Sequence, residues 1–266
     1  MIVFDDVHFS FPGRKILNGV SFTVADGETA AVMGASGSGK STVLKLLLGF
    51  IKPDSGRILV NDVDIVPLKE RELIAIRRKM GIVFQFGALF DSLTVGDNVA
   101  FPLREMRCFT EAEIIERVTE IVTRVGLDLR VLDQSPSELS GGMNRRVAIA
   151  RAMIHRPEIL LYDEPTTGLD PLACQVVCDL VTQMRDTFGV MSLFVTHQLA
   201  AAFRVATHFI LARNGQVLFD GSADELRNAT DPYLSHFVRW EIGGLLGGTE
   251  EERYLERSTG WTPGAE

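Results

Sequence analysis

The stretch Gly34-Ala35-Ser36-Gly37-Ser38-Gly39-Lys40-Ser41-Thr42 constrains this chain more than any other. It follows the apolar run Thr29–Met33 and leads into Val43, Leu44, Leu46, Leu47 and Leu48, which recur as a helix would place them. Three glycines between a strand and a helix let the backbone bend until its N–H groups converge on one point. The positive end of the helix faces the same point. That is a phosphate cradle of the P-loop kind, and all nine residues are candidates for nucleotide contact. Lys40 is expected to reach the β- and γ-phosphates and the Ser41 hydroxyl to bind Mg²⁺. A plain flexible Gly/Ser loop is the competing reading, and the full pattern between strand and helix disfavours it.

A P-loop needs a carboxylate for the metal, at the end of a buried strand on the same side of the sheet. Glu158-Ile-Leu-Leu-Tyr-Asp163-Glu164-Pro165 supplies it. Asp163 closes the apolar run and is the expected Mg²⁺ anchor. Glu164, one residue on, is the natural base or orienter for an attacking water. An Asp-Glu pair alone is as often a solvated corner; the P-loop upstream is what turns it into a site.

The remaining composition narrows the function classes. With 266 residues, 46% of them hydrophobic, the chain has ample material for a core. A formal charge of −8 argues against a protein whose main task is to grip nucleic acid. No apolar run approaches the roughly 20 residues that cross a bilayer, and the start Met1-Ile-Val-Phe-Asp-Asp has acids where a secretory signal needs a basic region. A cytoplasmic location is expected. Cys108, Cys174 and Cys178 form no metal-like cluster, and the last two fall in phase with Val177, Val181 and Met184, as core residues of a helix would.

The first 65 residues read as strands, around Ile2–Phe4, Val20–Val24, Thr29–Met33 and Arg57–Val60. In the middle, Thr110-Glu-Ala-Glu113 fits a capping box, followed by Ile114, Ile115, Val118, Ile121, Val122 and Val125 at helical spacing until Gly126. After Asp163 a helix over Leu172–Phe188, a strand over Met191–Thr196 and a helix from Gln198 give the alternation of a parallel sheet. Phe209–Leu211 and Gln216–Phe219 flank Asn214-Gly215 as a hairpin, and Ser222-Ala-Asp-Glu225 caps a short helix. From about Ile242 the composition turns to glycine and acids, which predicts a tail that is loose unless it docks.

Leu139-Ser140-Gly141-Gly142-Met143 precedes the basic helix Asn144–Arg151. It resembles the signature motif of ABC ATPases. Ser140, Gly141 and Gly142 at a helix start make a second anion-binding terminus, and one ATP cannot sit at two cradles of one rigid subunit unless they are folded together. The resemblance resolves this: in that family the signature faces the P-loop of a second copy, so that a head-to-tail dimer encloses two ATPs with Mg²⁺. Further landmarks fall in order over roughly residues 1 to 230. Phe11 matches the aromatic that stacks on adenine, with Phe9 as rival and a core role open for either. Gln85 matches the residue that senses Mg²⁺ and water and links to the membrane domain. Gly168-Leu169-Asp170 matches the D-loop, and His197 the switch histidine at the γ-phosphate. Two departures concern subfamily: Met143 stands where Gln is commonest, and Gln198 where an acid is usual.

The resemblance implies an α/β fold: a mixed sheet core, an antiparallel N-terminal β-subdomain and a helical subdomain inserted at about residues 86–156, within an ATP-binding domain of residues 1–241 and a tail of 242–266. The segment Phe84–Glu105 and the Leu-Ser-Gly-Gly-Met form look like the ATPases of MCE-type lipid transporters, as does Asp231–Val238. That likeness implies a membrane permease, an MCE-domain partner and often a small STAS-domain subunit, with the ATPase peripheral on the cytoplasmic face of the cell membrane and phospholipid as cargo. An ATPase for another substrate and a non-transport scaffold for iron–sulfur assembly are the alternatives. Phe86, Leu89 and Phe90, after Gln85, suit a groove for a partner helix, although some must be core.

Overall fold

A computed structural model describes residues 1–35 and 37–243, the last five as backbone only. In chain order the elements begin with β1 (Ile2–Phe11), β2 (Arg14–Val24), β3 (Thr29–Met33), α1 (Lys40–Leu47), β4 (Ser55–Val60), β5 (Val63–Asp64), α2 (Glu70–Arg77) and β6 (Met80–Val83). There follow α3 (Val95–Met106), α4 (Glu111–Arg124), α5 (Gly141–Met153), β7 (Ile159–Asp163), α6 (Pro171–Phe188), β8 (Met191–Val195) and α7 (Leu199–Val205). The chain then adds β9 (His208–Arg213), β10 (Gln216–Gly221), α8 (Ala223–Arg227) and α9 (Pro232–Gly243).

Two sheets result. One is antiparallel, in the order β2-β1-β4-β5; the other is mixed, in the order β10-β9-β3-β8-β7-β6. Strands β9, β3, β8, β7 and β6 run parallel, and only β10 returns antiparallel. Strands of such a sheet are buried on both faces, which is why β7 is buried from Ile159 to Tyr162 and carries its charge only at the end, on Asp163. Ile159 and Leu161 pack toward the antiparallel sheet with α1, while Leu160 and Tyr162 pack toward α3, α4, α5 and α6. Those first three helices lie between β6 and β7 in the chain, as the resemblance implies.

Local signals explain the helix ends. Thr110 accepts from the Glu113 amide and Glu113 answers at the Thr110 amide, so the predicted capping box forms. Ile115 is the one apolar residue of its series that faces outward. Asn214 and Gly215 both have positive φ (50° and 75°) in a two-residue turn that pairs Arg213 with Gln216. This turn also reaches the other sheet: the Asn18 amide donates to Gly215 O at 2.7 Å, and a Cβ on Gly215 would press on Ile16 O. On the same strand, Leu17 lies where a Cβ on Gly39 would meet it at 2.7 Å. Strand β2 is thereby latched to the hairpin and lies close against the glycine loop. Cys178 is buried as core, whereas Cys174 is half-buried and directs its thiol at the carbonyls of Thr166 and Leu169 (3.4 and 3.6 Å).

Candidate functional site: a phosphate cradle at the strand ends

Parallel strands present their carboxyl ends at one edge of the sheet, the usual seat of a ligand in such folds. Here β3 delivers the glycine loop, β7 delivers Asp163 and Glu164, β8 delivers His197, and β6 ends two residues before Gln85. Asp163 pairs in register with Val195, so the carboxylate and the residues leading to His197 leave the sheet side by side.

The glycine loop is built for close approach. Gly34 has φ 148°, and a Cβ there would strike Ala212 O and approach Ser38 Oγ at 2.7 Å. Gly37 and Gly39 have φ 80° and 99°, a region that side chains strain to adopt. Lys40 is 7% exposed and donates to the carbonyls of Gly34 (2.7 Å) and Ala35 (3.0 Å). Burial lowers its pKa, while the charges of Glu164 and Asp163 oppose that shift. Ser41 Oγ donates to Asp163 Oδ1 at 3.3 Å. Burial raises the Asp163 pKa first; Glu164 adds to the rise, and the Ser41 hydrogen bond, Lys40 and Lys45 work against it.

Glu164 sits beyond the strand end with φ 47°, a left-handed conformation rare for a residue with a side chain, and its amide donates to Val195 O at 2.9 Å. Both carboxylate oxygens are engaged. His197 Nδ1 lies 3.2 Å from Oε1, and Thr167 Oγ1 donates to Oε2 at 3.0 Å. Strain of this kind marks a functional position when the surroundings enforce it.

The structure therefore joins Gly34, Ala35, Lys40, Ser41, Asp163, Glu164 and His197 through direct contacts. Among the described residues no hydrogen bond or ion pair ties Phe11, Gln85, Ser140 or Asp170 to that group. Ser140 is exposed and accepts from the Met143 amide (3.3 Å), capping α5; Gly141 and Gly142 form its first turn beside Leu169 and Ala173. Asp170 caps α6, accepting from Ala173 at 2.9 Å. Phe9 is buried at 7% exposure while Phe11 stands 46% exposed, the two rings meeting edge to face at 5.0 Å. Thr42 lies in the first turn of α1. Ser36 lies outside the described residues. Three contributors were not legible in the sequence: Thr167 on Glu164, Gln198 accepting from the buried Thr166 hydroxyl (2.9 Å), and Asn98, whose amide donates to the carbonyls of Phe90, Leu93 and Thr94. The first two would have been found only by expecting the residues after Glu164 to fold back on it.

These residues fit a nucleoside triphosphate with magnesium. Ser38 Oγ is buried in the cradle without a partner, and Lys40 brings a desolvated ammonium to the same loop. Ser41 and Asp163 give one hydroxyl and one carboxylate. Among the described residues no group of three His, Cys, Asp or Glu could hold a metal by itself. Magnesium suits such a sparse site, because it keeps waters and shares its shell with substrate phosphates.

A parallel sheet with a strand-end phosphate cradle, an Asp-Glu pair and a histidine defines an ATP-hydrolysing cassette. A family model described as ABC transporter matches residues 17–167, and the chain belongs to that family. It binds ATP with Mg²⁺ and hydrolyses it. Over 249 residues it is 36% identical to the intermembrane phospholipid transport system ATP-binding protein MlaF of Escherichia coli K12, covering 94% of this chain and 91% of that protein. It is also 36% identical over 250 residues to the methionine import ATP-binding protein MetN of Carboxydothermus hydrogenoformans, covering 92% of this chain and 74% of that one. The solved dimer of the ATP-binding cassette MJ0796 in a post-hydrolysis state, bound to ADP and Pi, superposes with TM-score 0.77 at 31% identity, over 84% of this chain and 98% of that one. Among the described residues no helix is long and apolar enough to cross a membrane.

Proposed function

We propose that this chain powers a membrane permease that moves phospholipid between membranes with an MCE-domain partner, working as a dimer at the cytoplasmic face of the cell membrane. Identity alone does not separate phospholipid from methionine, since MlaF and MetN match equally well. The observation that carries the lipid reading is the signature ending in Met143, together with the segments Phe84–Glu105 and Asp231–Val238, which resemble MCE-type ATPases. A STAS-domain subunit fits the same reading. The expected tail from 242 to 266 lies outside the described residues beyond Gly243, and residues 86–156 are the subdomain that meets the permease.

Within the site we assign roles to the joined residues by their contacts, and to Phe11, Gln85, Ser140, Gly141, Gly142 and Asp170 by the family resemblance. Residues 34–42 cradle the triphosphate, with Lys40 exchanging its carbonyl partners for phosphate oxygens. Ser41, Asp163 and Gln85 hold magnesium, which neutralises phosphate charge when bound. Glu164 takes the proton of the attacking water, and His197 and Thr167 fix its two oxygens from either side. Phe11 stacks on the base. Ser140, Gly141, Gly142 and Asp170 serve the nucleotide held by the second copy, which accounts for their lack of contact with this chain's own cradle.

The test is reconstitution. The ATPase is purified with its permease from detergent-solubilised membranes and placed in proteoliposomes, and transfer of a fluorescent phospholipid is followed. ATP-dependent transfer that stops with Glu164→Gln is expected. Methionine uptake without phospholipid transfer would replace the lipid reading by the importer one.

A further inference from the structure

Arg145, on the first turns of α5, is only 5% exposed, and among the described residues no carboxylate pairs with it. A buried guanidinium without a counter-ion is costly, and packing alone would be served as well by an apolar chain. What Arg145 does instead is grip one loop twice. Its Nε donates to Pro165 O at 3.0 Å and its Nη2 to Thr167 O at 3.4 Å. Those two residues flank the turn after Glu164, and Thr167 is the residue whose hydroxyl holds Glu164 Oε2. The other side of the same turn is already tied down by Gln198 and Cys174 through Thr166. On its outer side the guanidinium lies 5.8 Å from the centroid of the Phe86 ring, which is 74% exposed.

We infer that Arg145 is a positioning residue for Glu164: by spanning the carbonyls of Pro165 and Thr167 it sets the hydroxyl that orients the carboxylate, and Phe86 gives a docked partner a handle on that span. The inference rests on the reading of Glu164 as the base and of Phe86 as part of the docking face. It supplies a connection from that face to the hydrolytic carboxylate that does not pass through Gln85. Two of the three arginines of α5 divide the work, since Arg151 donates to the carbonyls of Gly87 and Ala88 (2.8 Å each) and fixes the segment that carries Phe86.

The full-length chain carrying Arg145→Lys tests this, because lysine keeps the charge but cannot span two carbonyls with a planar fork. The expected result is a kcat about tenfold lower, with KM for ATP within about twofold of the parent. Combined with Thr167→Val, the double variant should fall no more than about twofold below the worse single one, since both act through one contact. Unchanged kcat, losses that multiply, or a kcat that falls only in step with the number of ATP-binding sites would overturn it. Should Arg145→Lys fail to fold, Phe86→Leu replaces it, the ring being exposed. That variant is expected to lower kcat about threefold at constant KM, with the loss masked by Thr167→Val; an unchanged kcat overturns the inference. Glu164→Gln is run alongside. If it turns over normally, the base assignment falls and takes the inference with it. If it stalls while Arg145→Lys turns over normally, only the inference falls.

Discussion

Glu164 and Asp163 are adjacent in sequence but do different work, and two measurements separate them. Glu164→Gln keeps the shape and the Thr167 hydrogen bond while removing the base. It is expected to bind Mg-ATP as the parent does and to lose about 10² to 10⁴ in turnover, read by single-turnover hydrolysis beside equilibrium binding. Binding lost as completely as in Lys40→Ala would make Glu164 structural instead. Asp163 is a carboxylate whose folded pKa stands above its unfolded one, chiefly through burial. Between the two values the folded state holds more protons than the unfolded, so stability falls as pH rises through that window and the charged form carries the cost at neutral pH. Asp163→Asn should therefore melt about 2 °C higher than the parent without nucleotide at pH 7, and that gain should shrink as the pH is lowered through the acidic range. It should also lose Mg²⁺-dependent hydrolysis. A lower melting point would show that Asp163 stabilises the empty cradle.

At the scale of elements, the sequence displayed whatever repeats with a period or closes a local hydrogen bond. The capping boxes at Thr110 and Ser222, the Asn214-Gly215 turn and the strand-loop-helix around Lys40 are all of that kind. It hid α3, whose pattern is interrupted by Pro102, and the contacts that link distant segments: Gln198 to Thr166, Thr167 to Glu164, and Asn98 to the loop of residues 90–94. A side chain that satisfies a backbone carbonyl across the fold leaves no periodic trace. The segment after Gln85 shows the same division. Phe86 and Phe90 are exposed, and Phe90 packs on the exposed Phe101 at 4.8 Å, whereas Leu89 is half-buried against the core. Phe86→Glu or Phe90→Glu is expected to leave the melting point within about 1 °C and to abolish permease-stimulated hydrolysis. Leu89→Glu is expected to lower the melting point itself. A folded Phe86→Glu chain that co-purifies with its permease and is stimulated normally would remove Phe86 from the docking face.

For the whole molecule, the separation of the signature from the cradle predicts that each site is shared between copies. Chains bearing Lys40→Ala and Ser140→Arg, with different tags and Glu164→Gln in both, are recovered as mixed dimers. In a shared arrangement both defects fall into one site, so about one ATP should be trapped per mixed dimer and almost none in either homodimer; no trapped ATP from properly paired protein would contradict sharing. The latch between the sheets adds a kinetic consequence. Because the Gly215 turn fastens β2 to the β9–β10 hairpin, and Leu17 of β2 stands where a Cβ on Gly39 of the glycine loop would be, the ring at Phe11 and the cradle belong to one frame. In a shared arrangement the second copy closes that frame, so bound nucleotide escapes when the two copies part. Its residence time is then a property of the pair: in stopped-flow chase experiments on the Glu164→Gln chain, release should quicken as the protein is diluted.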